Sequence, residues 1–215
     1  MYLKTMVSCL ALTVFSLMAP ATKADVNDDV SHLQTRWAEI NYQLQGKTQV
    51  AAFENLVNEA VAATKVSANS AELLIWSGII RSTYAGAKGG LGALGIAKAA
   101  KKDFESALKL DASALEGSAY TSLGILYHSV PGWPIGFGDD KKAEELLKTG
   151  VKNNPNGIDS NYFYALFLAD TKQYAEAEKY LIRAQSAPAR SGRSIADQGR
   201  LGEISVALDQ VRAEL

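Results

Sequence analysis

Residues 90–95 read Gly90-Leu91-Gly92-Ala93-Leu94-Gly95. This is the spacing with which a strand-to-helix turn lets backbone approach a pyrophosphate. That chemistry needs a strand before the glycines and a βαβ unit around them. Here both flanks have helical periodicity, so the segment is expected to be a glycine-rich turn between two helices, and no nucleotide or other cofactor is implied. The two histidines, His32 and His128, stand far apart, and neither has the His-x3-His or His-Glu spacing of a metal site. His128 follows Tyr127 near the end of an expected helix, where a positive group is favoured. A general-base role would need partners that the sequence does not place beside it. Asp139 and Asp140 precede Lys141, Lys142 and Ala143 and read as an N-cap with a charged first turn, continued by Glu144 and Glu145. Asp111 and Asn154 sit at expected helix ends as turn formers. No carboxylate pair stands in an apolar setting, as acid–base catalysis would require. No catalytic residue, no metal ligand and no enzymatic activity is therefore expected.

The residues that could bind must be positioned by packing alone. The one cysteine, Cys9, lies in an N-terminal stretch that reads as a secretory signal. Lys4 supplies positive charge, Met6 to Met18 are apolar but too short to span a bilayer, and small residues follow. Cleavage after Ala21 completes Ala19-Pro20-Ala21, and cleavage after Ala24 gives an acidic start at Asp25. The expected organisation is a signal peptide over residues 1–24 and one domain over residues 25–215, exported to the periplasm and not inserted in the membrane. Without disulfides, about 190 residues still suffice for a core. The whole chain has 22 basic and 23 acidic residues. Removing Lys4 and Lys23 leaves 20 against 23, a net charge of −3. Such a balance offers no basic face to nucleic acid.

Repeats organise the remainder. Between Gly117 and Pro155, Tyr120, Leu123, Gly124 and Tyr127 mark one helix, Ala143 and Leu147 a second, and Pro155 closes the unit. Gly124 and Ala143 are small, so the two helices can approach closely. Residues 158–189 repeat the spacing without interruption, with Tyr164, Ala165 and Leu168 on a first helix and Tyr174, Ala177, Leu181 and Ala184 on a second. Earlier, Leu74, Trp76 and Gly78 precede Ala100, Phe104, Ala107 and Leu108. Before them, Val30, Leu33, Trp37, Ile40 and Leu44 step by three and four along one face, followed by Leu56, Ala60 and Ala63. Leu201, Ile204, Leu208 and Val211 form a last helix that covers the open end of the stack. No alternating run argues for a strand. The expected fold is all-α, a right-handed stack of antiparallel helical hairpins with a C-terminal capping helix.

These units resemble the tetratricopeptide repeat, W-x2-L-G-x2-Y followed by A-x3-F and Pro, over about two-thirds of the mature chain. Together with the leader, the number of hairpins and the widened first turns, they also resemble the T components of TRAP transporters, periplasmic helpers of solute-binding proteins. The resemblance implies a concave groove lined by first helices, with Ile75, Ile79, Ser82, Thr121, Ile125, His128, Asp159, Tyr162, Leu166 and Asp170 on its surface. It implies a partner protein of the cell envelope or a small apolar ligand. An assembly scaffold and a glycan-cleaving enzyme are the alternatives, the second requiring a buried acid.

Against the uninterrupted last repeat, the span from Arg81 to Ala100 carries about ten extra residues and that from Tyr127 to Ala143 about seven. Both additions fall between the helices of a hairpin and should meet on one edge of the stack. The second is a loop with Trp133, Ile135 and Phe137 among prolines and glycines, which no helix can traverse. Trp133 and Phe137 either plug the core or wall a binding site. As a wall, they would form the mouth of the groove near His128.

Overall fold

The structure, a computed structural model, describes residues 23–215. The apolar stretch from Met6 to Met18, Cys9 and the cleavage point after Ala21 lie outside the described residues. The cleavage point after Ala24 falls at the start of the first helix.

The chain is a stack of helical hairpins. Helices α1 (Lys23–Gln43) and α2 (Gly46–Val66) form the first, α3 (Ala71–Lys88) and α4 (Gly90–Leu110) the second. Helices α5 (Ala114–Ser129) and α6 (Asp140–Asn153) form the third, α7 (Ile158–Asp170) and α8 (Tyr174–Gln185) the fourth, and α9 (Ser194–Arg212) ends the stack. Local chemistry sets several boundaries. The Ser70 hydroxyl accepts from Leu73 N at 3.2 Å to open α3, and the Asp139 carboxylate accepts from Lys142 N at 3.1 Å to open α6, as its sequence position implies. Asp111 accepts from the Ser113 N–H at 2.8 Å in the turn before α5.

The apolar periodicities fall inward. Val30, Leu33, Trp37 and Ile40 of α1 are buried against Phe53, Leu56 and Ala60 of α2. Ala100, Phe104 and Ala107 of α4, Ala143 and Leu147 of α6, and Ala177, Leu181 and Ala184 of α8 are all buried. Glycines let hairpin helices touch. A Cβ on Gly78 would lie 2.5 Å from the Phe104 ring, and one on Gly124 would lie 2.8 Å from Leu147 Cγ and 3.2 Å from the Ala143 carbonyl oxygen.

Two expectations are corrected. The glycine-rich segment is not a long turn. Only Gly89 and Gly90, at φ +60° and +66°, make the corner, and Gly92 and Gly95 lie inside α4. The extra residues lengthen the second hairpin, whose helices run 18 and 21 residues against 13 and 12 in the fourth. On α9, Ile204, Leu208 and Val211 face inward but Leu201 is 39% exposed. The interior position beside it is taken by Arg200.

Helix α9 does more than cover α8. The first helices α1, α3, α5 and α7 each pack on the next, α9 packs on α7, and α9 also packs on α1. The stack therefore curls until its last helix meets its first. Gly199 permits the meeting, since a Cβ there would stand 2.3 Å from the Tyr42 ring.

Because backbone of α6 crowds Gly124, Gly124→Leu should lower stability by about 1–3 kcal/mol. The exposed control Ala51→Leu on α2 should have little effect. Thermal melts of the two variants check this, and an unchanged midpoint for Gly124→Leu would contradict the packing.

Candidate binding site

The closed circuit of helices surrounds a cavity of about 770 Å³. Its apolar wall includes Trp37, Trp76, Ile79, Ile125 and Phe163. Its rim is built by the turns that join one hairpin to the next, where Asn153, Pro155, Asn156, Pro188 and Ala189 are exposed. Trp37 is fixed by its indole N–H, which donates to Thr83 Oγ1 at 3.0 Å, and it meets Trp76 edge-on at 6.0 Å.

Backbone strain shapes one side. Leu115, Glu116 and Gly117 all have positive φ, at 47°, 56° and 74°. For the two non-glycine residues this costs on the order of 1–3 kcal/mol each. The left-handed turn sets Leu115 and Glu116 on the cavity wall, and Asn154 Nδ2 donates to Glu116 Oε2 at 2.6 Å.

The opposite side is ionic. Arg190, Arg193 and Arg200 line the cavity with Asp159. Arg200 Nε contacts Asp159 Oδ1 at 2.8 Å, and Arg200 also pairs with Glu203. Arg190 reaches Asp159 Oδ2 at 2.6 Å and Asp197 Oδ1 at 2.6 Å. Burial alone would raise the Asp159 pKa, but Arg200, Arg190 and Arg193 outweigh it and hold the carboxyl at about 2. Burial works against the charge of Arg200 too, and Asp159 outweighs it, so this guanidinium is held above its ordinary value. Arg193 differs. Among the described residues it forms no ion pair, its Nε is buried without a hydrogen-bond partner, and its guanidinium stacks 5.2 Å from the centre of the Trp76 ring. Burial, then the neighbouring charge of Arg190, brings its pKa down to about 10.

The groove positions inferred from the sequence divide. Ile79, Ser82, Thr121, Ile125 and Asp159 line the cavity. Ile75 lies beneath it, fully buried against Ala107 and Ala119. Tyr162 and Leu166 face a separate groove of about 380 Å³ beside Val206 and Gln210 of α9. His128, Trp133 and Phe137 sit on the other edge, away from the cavity wall. There the two added segments do meet. Leu94 Cδ1 lies 3.4 Å from where a Gly136 Cβ would stand, and Lys101 lies over the rings of Tyr127 and Phe137. Phe137 plugs this edge by packing on Tyr127 with ring centres 5.5 Å apart. Trp133 does not, being 89% exposed, and Ile135 is 70% exposed. The arginines on the rim were not singled out in the sequence. Their clustering in residues 190–200 was the available signal, hidden because that segment reads as a polar turn.

The fold is an all-α stack of antiparallel helical hairpins. No protein-family model and no curated protein matches the chain. Among solved structures, the crystal structure of MamA is similar at a TM-score of 0.46 and 16% identity, over 78% of this chain and 91% of that one. A second crystal structure of MamA protein gives 0.45 and 15%, over 87% and 92%. Pseudomonas aeruginosa PilF gives 0.36 and 12%, over 89% and 99%. Among the described residues no helix is long and apolar enough to cross a membrane, and no group of three or more potential metal ligands forms.

His128 has partners after all. Its Nδ1 lies 2.7 Å from Asp140 Oδ1 and its Nε2 3.0 Å from Asp170 Oδ2, so the ring bridges α5, α6 and α7. Burial disfavours its charge, but the two carboxylates outweigh that and raise its pKa. A raised folded-state value means that the bridge contributes fully below the unfolded value of about 6.5 and fades as pH rises through the folded one. Since both carboxylates are exposed, the contribution is about 1 kcal/mol or less. The melting-temperature gap between the native chain and His128→Gln should be widest below about pH 6 and close as pH rises. A gap independent of pH would contradict the ionic bridge.

Proposed function

We propose that this protein is a non-catalytic binding module that takes a small ligand, or a short segment of a partner, into the cavity between its helices. The observation that carries this reading is the contact of α9 with α1, which turns an open groove into a half-open cavity with an exposed rim. Cavities of this volume suit drug-sized molecules. The carboxyl groups on the wall are already committed, Asp159 to two arginines and Glu116 to Asn154, so the wall offers contacts for binding more than a free acid or base. The leader-like N-terminus supports work in the periplasm. The resemblance to T components supports a role as an accessory to a TRAP-type solute transporter.

A second reading is favoured by the exposure of Trp133 and Ile135 on the far edge. There the protein would act as an envelope assembly scaffold, docking a partner through the loop. One comparison separates the two. Ser122 is half-buried on the cavity wall, and Ser122→Phe fills the site from a helix that can carry it. Native mass spectrometry and pull-down from envelope extract should show that folded Ser122→Phe loses the bound species while Trp133→Ala keeps it. Retention by Ser122→Phe with loss by Trp133→Ala would favour the scaffold.

A further inference from the structure

Among the described residues, Trp133 and Ile135 are the most exposed large apolar side chains, at 89% and 70%, and they stand together on one loop. The loop is held in shape by its own backbone. The Gly136 N–H donates to the Gly132 carbonyl at 3.1 Å, the Gly138 N–H to the Pro131 carbonyl at 3.0 Å, and the Asp139 N–H to the Tyr127 carbonyl at 3.1 Å. Phe137, the third large ring or chain of the loop, turns inward onto Tyr127. The root is therefore fixed, and Trp133 and Ile135 are held in water, where apolar surface is unfavourable unless something covers it.

Lysines surround them. His128 draws the ends of α5, α6 and α7 together, and Leu94 brings the turn of the second hairpin beside Gly136. This edge therefore gathers Lys88, Lys141, Lys142 and Lys172, all exposed. Among the described residues none of the four forms an ion pair. Lys88 Nζ donates to the Tyr84 hydroxyl at 3.0 Å, and Lys142 lies over the Tyr127 ring. The carboxylates of the edge are engaged, Asp139 with the Lys142 N–H, and Asp140 and Asp170 with His128. The edge is mildly basic, and its lysines are the groups that can meet an anion.

We infer that this edge rests on the surface of a lipid bilayer containing anionic headgroups, with Trp133 and Ile135 entering the headgroup region and the lysines on lipid phosphates, without spanning the bilayer. Lysine is depleted in protein–protein interfaces, and the anchor residues of such interfaces sit in packed pockets ringed by neutral contacts. Here Gly132, Pro134 and Gly136 alternate with the two large side chains, and lysines flank them, so no such ring is built. Tryptophan beside lysine is the composition of a bilayer interface, which deforms around what enters it and needs no matching pocket. Lysines near an anionic leaflet add electrostatic attraction. The cavity rim lies on the opposite edge and faces away from such a surface, so bilayer contact neither needs nor blocks a ligand. A bilayer is a different occupant for the loop from the protein partner of the second reading above.

Flotation of the purified mature chain with lipid vesicles at low salt tests this. One set is phosphatidylcholine alone, and the other is two parts phosphatidylcholine to one part phosphatidylglycerol. The chain should float with the mixed vesicles and partition several-fold less onto phosphatidylcholine alone. Its tryptophan emission should shift to the blue on binding, because Trp133 is exposed whereas Trp37 and Trp76 are already buried, at 6% and 3%. Trp133→Ala, with the melting temperature of the native chain, should lose about tenfold or more of the partitioning, together with the blue shift. Lys141→Gln combined with Lys172→Gln should remove most of the preference for phosphatidylglycerol and keep the blue shift at saturating lipid. Failure of the native chain to float with either vesicle would overturn the bilayer contact, as would flotation that Trp133→Ala leaves unchanged. Equal flotation with the two vesicles would overturn the anionic preference. Loss of an envelope protein from pull-downs by Trp133→Ala, with no flotation of the native chain, would also overturn the bilayer contact and give the loop to a protein partner.

Discussion

Arg200 sets the terms for the rest of the molecule. Its side chain is 9% exposed, in the middle of a helix whose other inward residues, Asp197 apart, are apolar. A guanidinium there must find its anion in the fold or the helix cannot dock. Asp159, at the start of α7, supplies it, and the rings of Tyr162 and Phe163 lie 4.4 and 4.6 Å from the charge. The pairing therefore fixes α9 against α7 in one rotation. In that rotation Gly199 faces Tyr42 of α1, and Ala196 joins the cluster that holds Trp37 and Trp76. The end of the stack thus meets its beginning because one buried charge leaves α9 little choice of orientation. The cavity follows from that meeting. With α9 rotated away, the same first helices would line an open groove.

Repeats made most of the fold legible. Small residues at Gly78, Gly124 and Ala143, large ones opposite them, and the period of three and four give the hairpins and their order. What the period could not show was the curl of the stack, because it depends on contacts between residues far apart in the chain. Leu201 illustrates the difficulty. It occupies an apolar position at helical spacing but faces outward, and the arginine before it faces in. No rule of amphipathicity assigns an arginine to the interior unless its partner, here Asp159, is known to be there. The length of the second hairpin was also hidden. Glycines break helices on average, yet Gly92 and Gly95 lie within α4 because tertiary packing of Ala97, Ala100 and Phe104 outweighs a cost of about 1 kcal/mol for each glycine.

The candidate site was legible only in part, for the same reason. Ile79, Ser82, Thr121 and Ile125 follow from the repeat register, since first helices face inward in any such stack. The polar end of the site comes from the turn between α8 and α9, which looks like a solvated linker from its arginine, serine and glycine content. The aromatic loop before α6 carries the more conspicuous sequence signal. Its glycines serve a local purpose. A Cβ on Gly138 would stand 1.8 Å from the Val130 carbonyl oxygen, so the loop folds back on itself and leaves Phe137 inward and Trp133 outward. The two edges of the stack therefore carry different equipment: one is closed by aromatic packing and the His128 bridge, and the other opens onto the cavity.

The closure of α9 on α1 is measured most directly in solution by the distance between spin labels at Gln43 and Gln198, exposed neighbours of Tyr42 and Gly199. Cysteines introduced there in the mature chain, which has none of its own by the expected cleavage, would carry the labels. A closed circuit predicts one narrow distribution at short range. A broad distribution at long range would show an open stack and contradict the cavity on which the proposed binding rests.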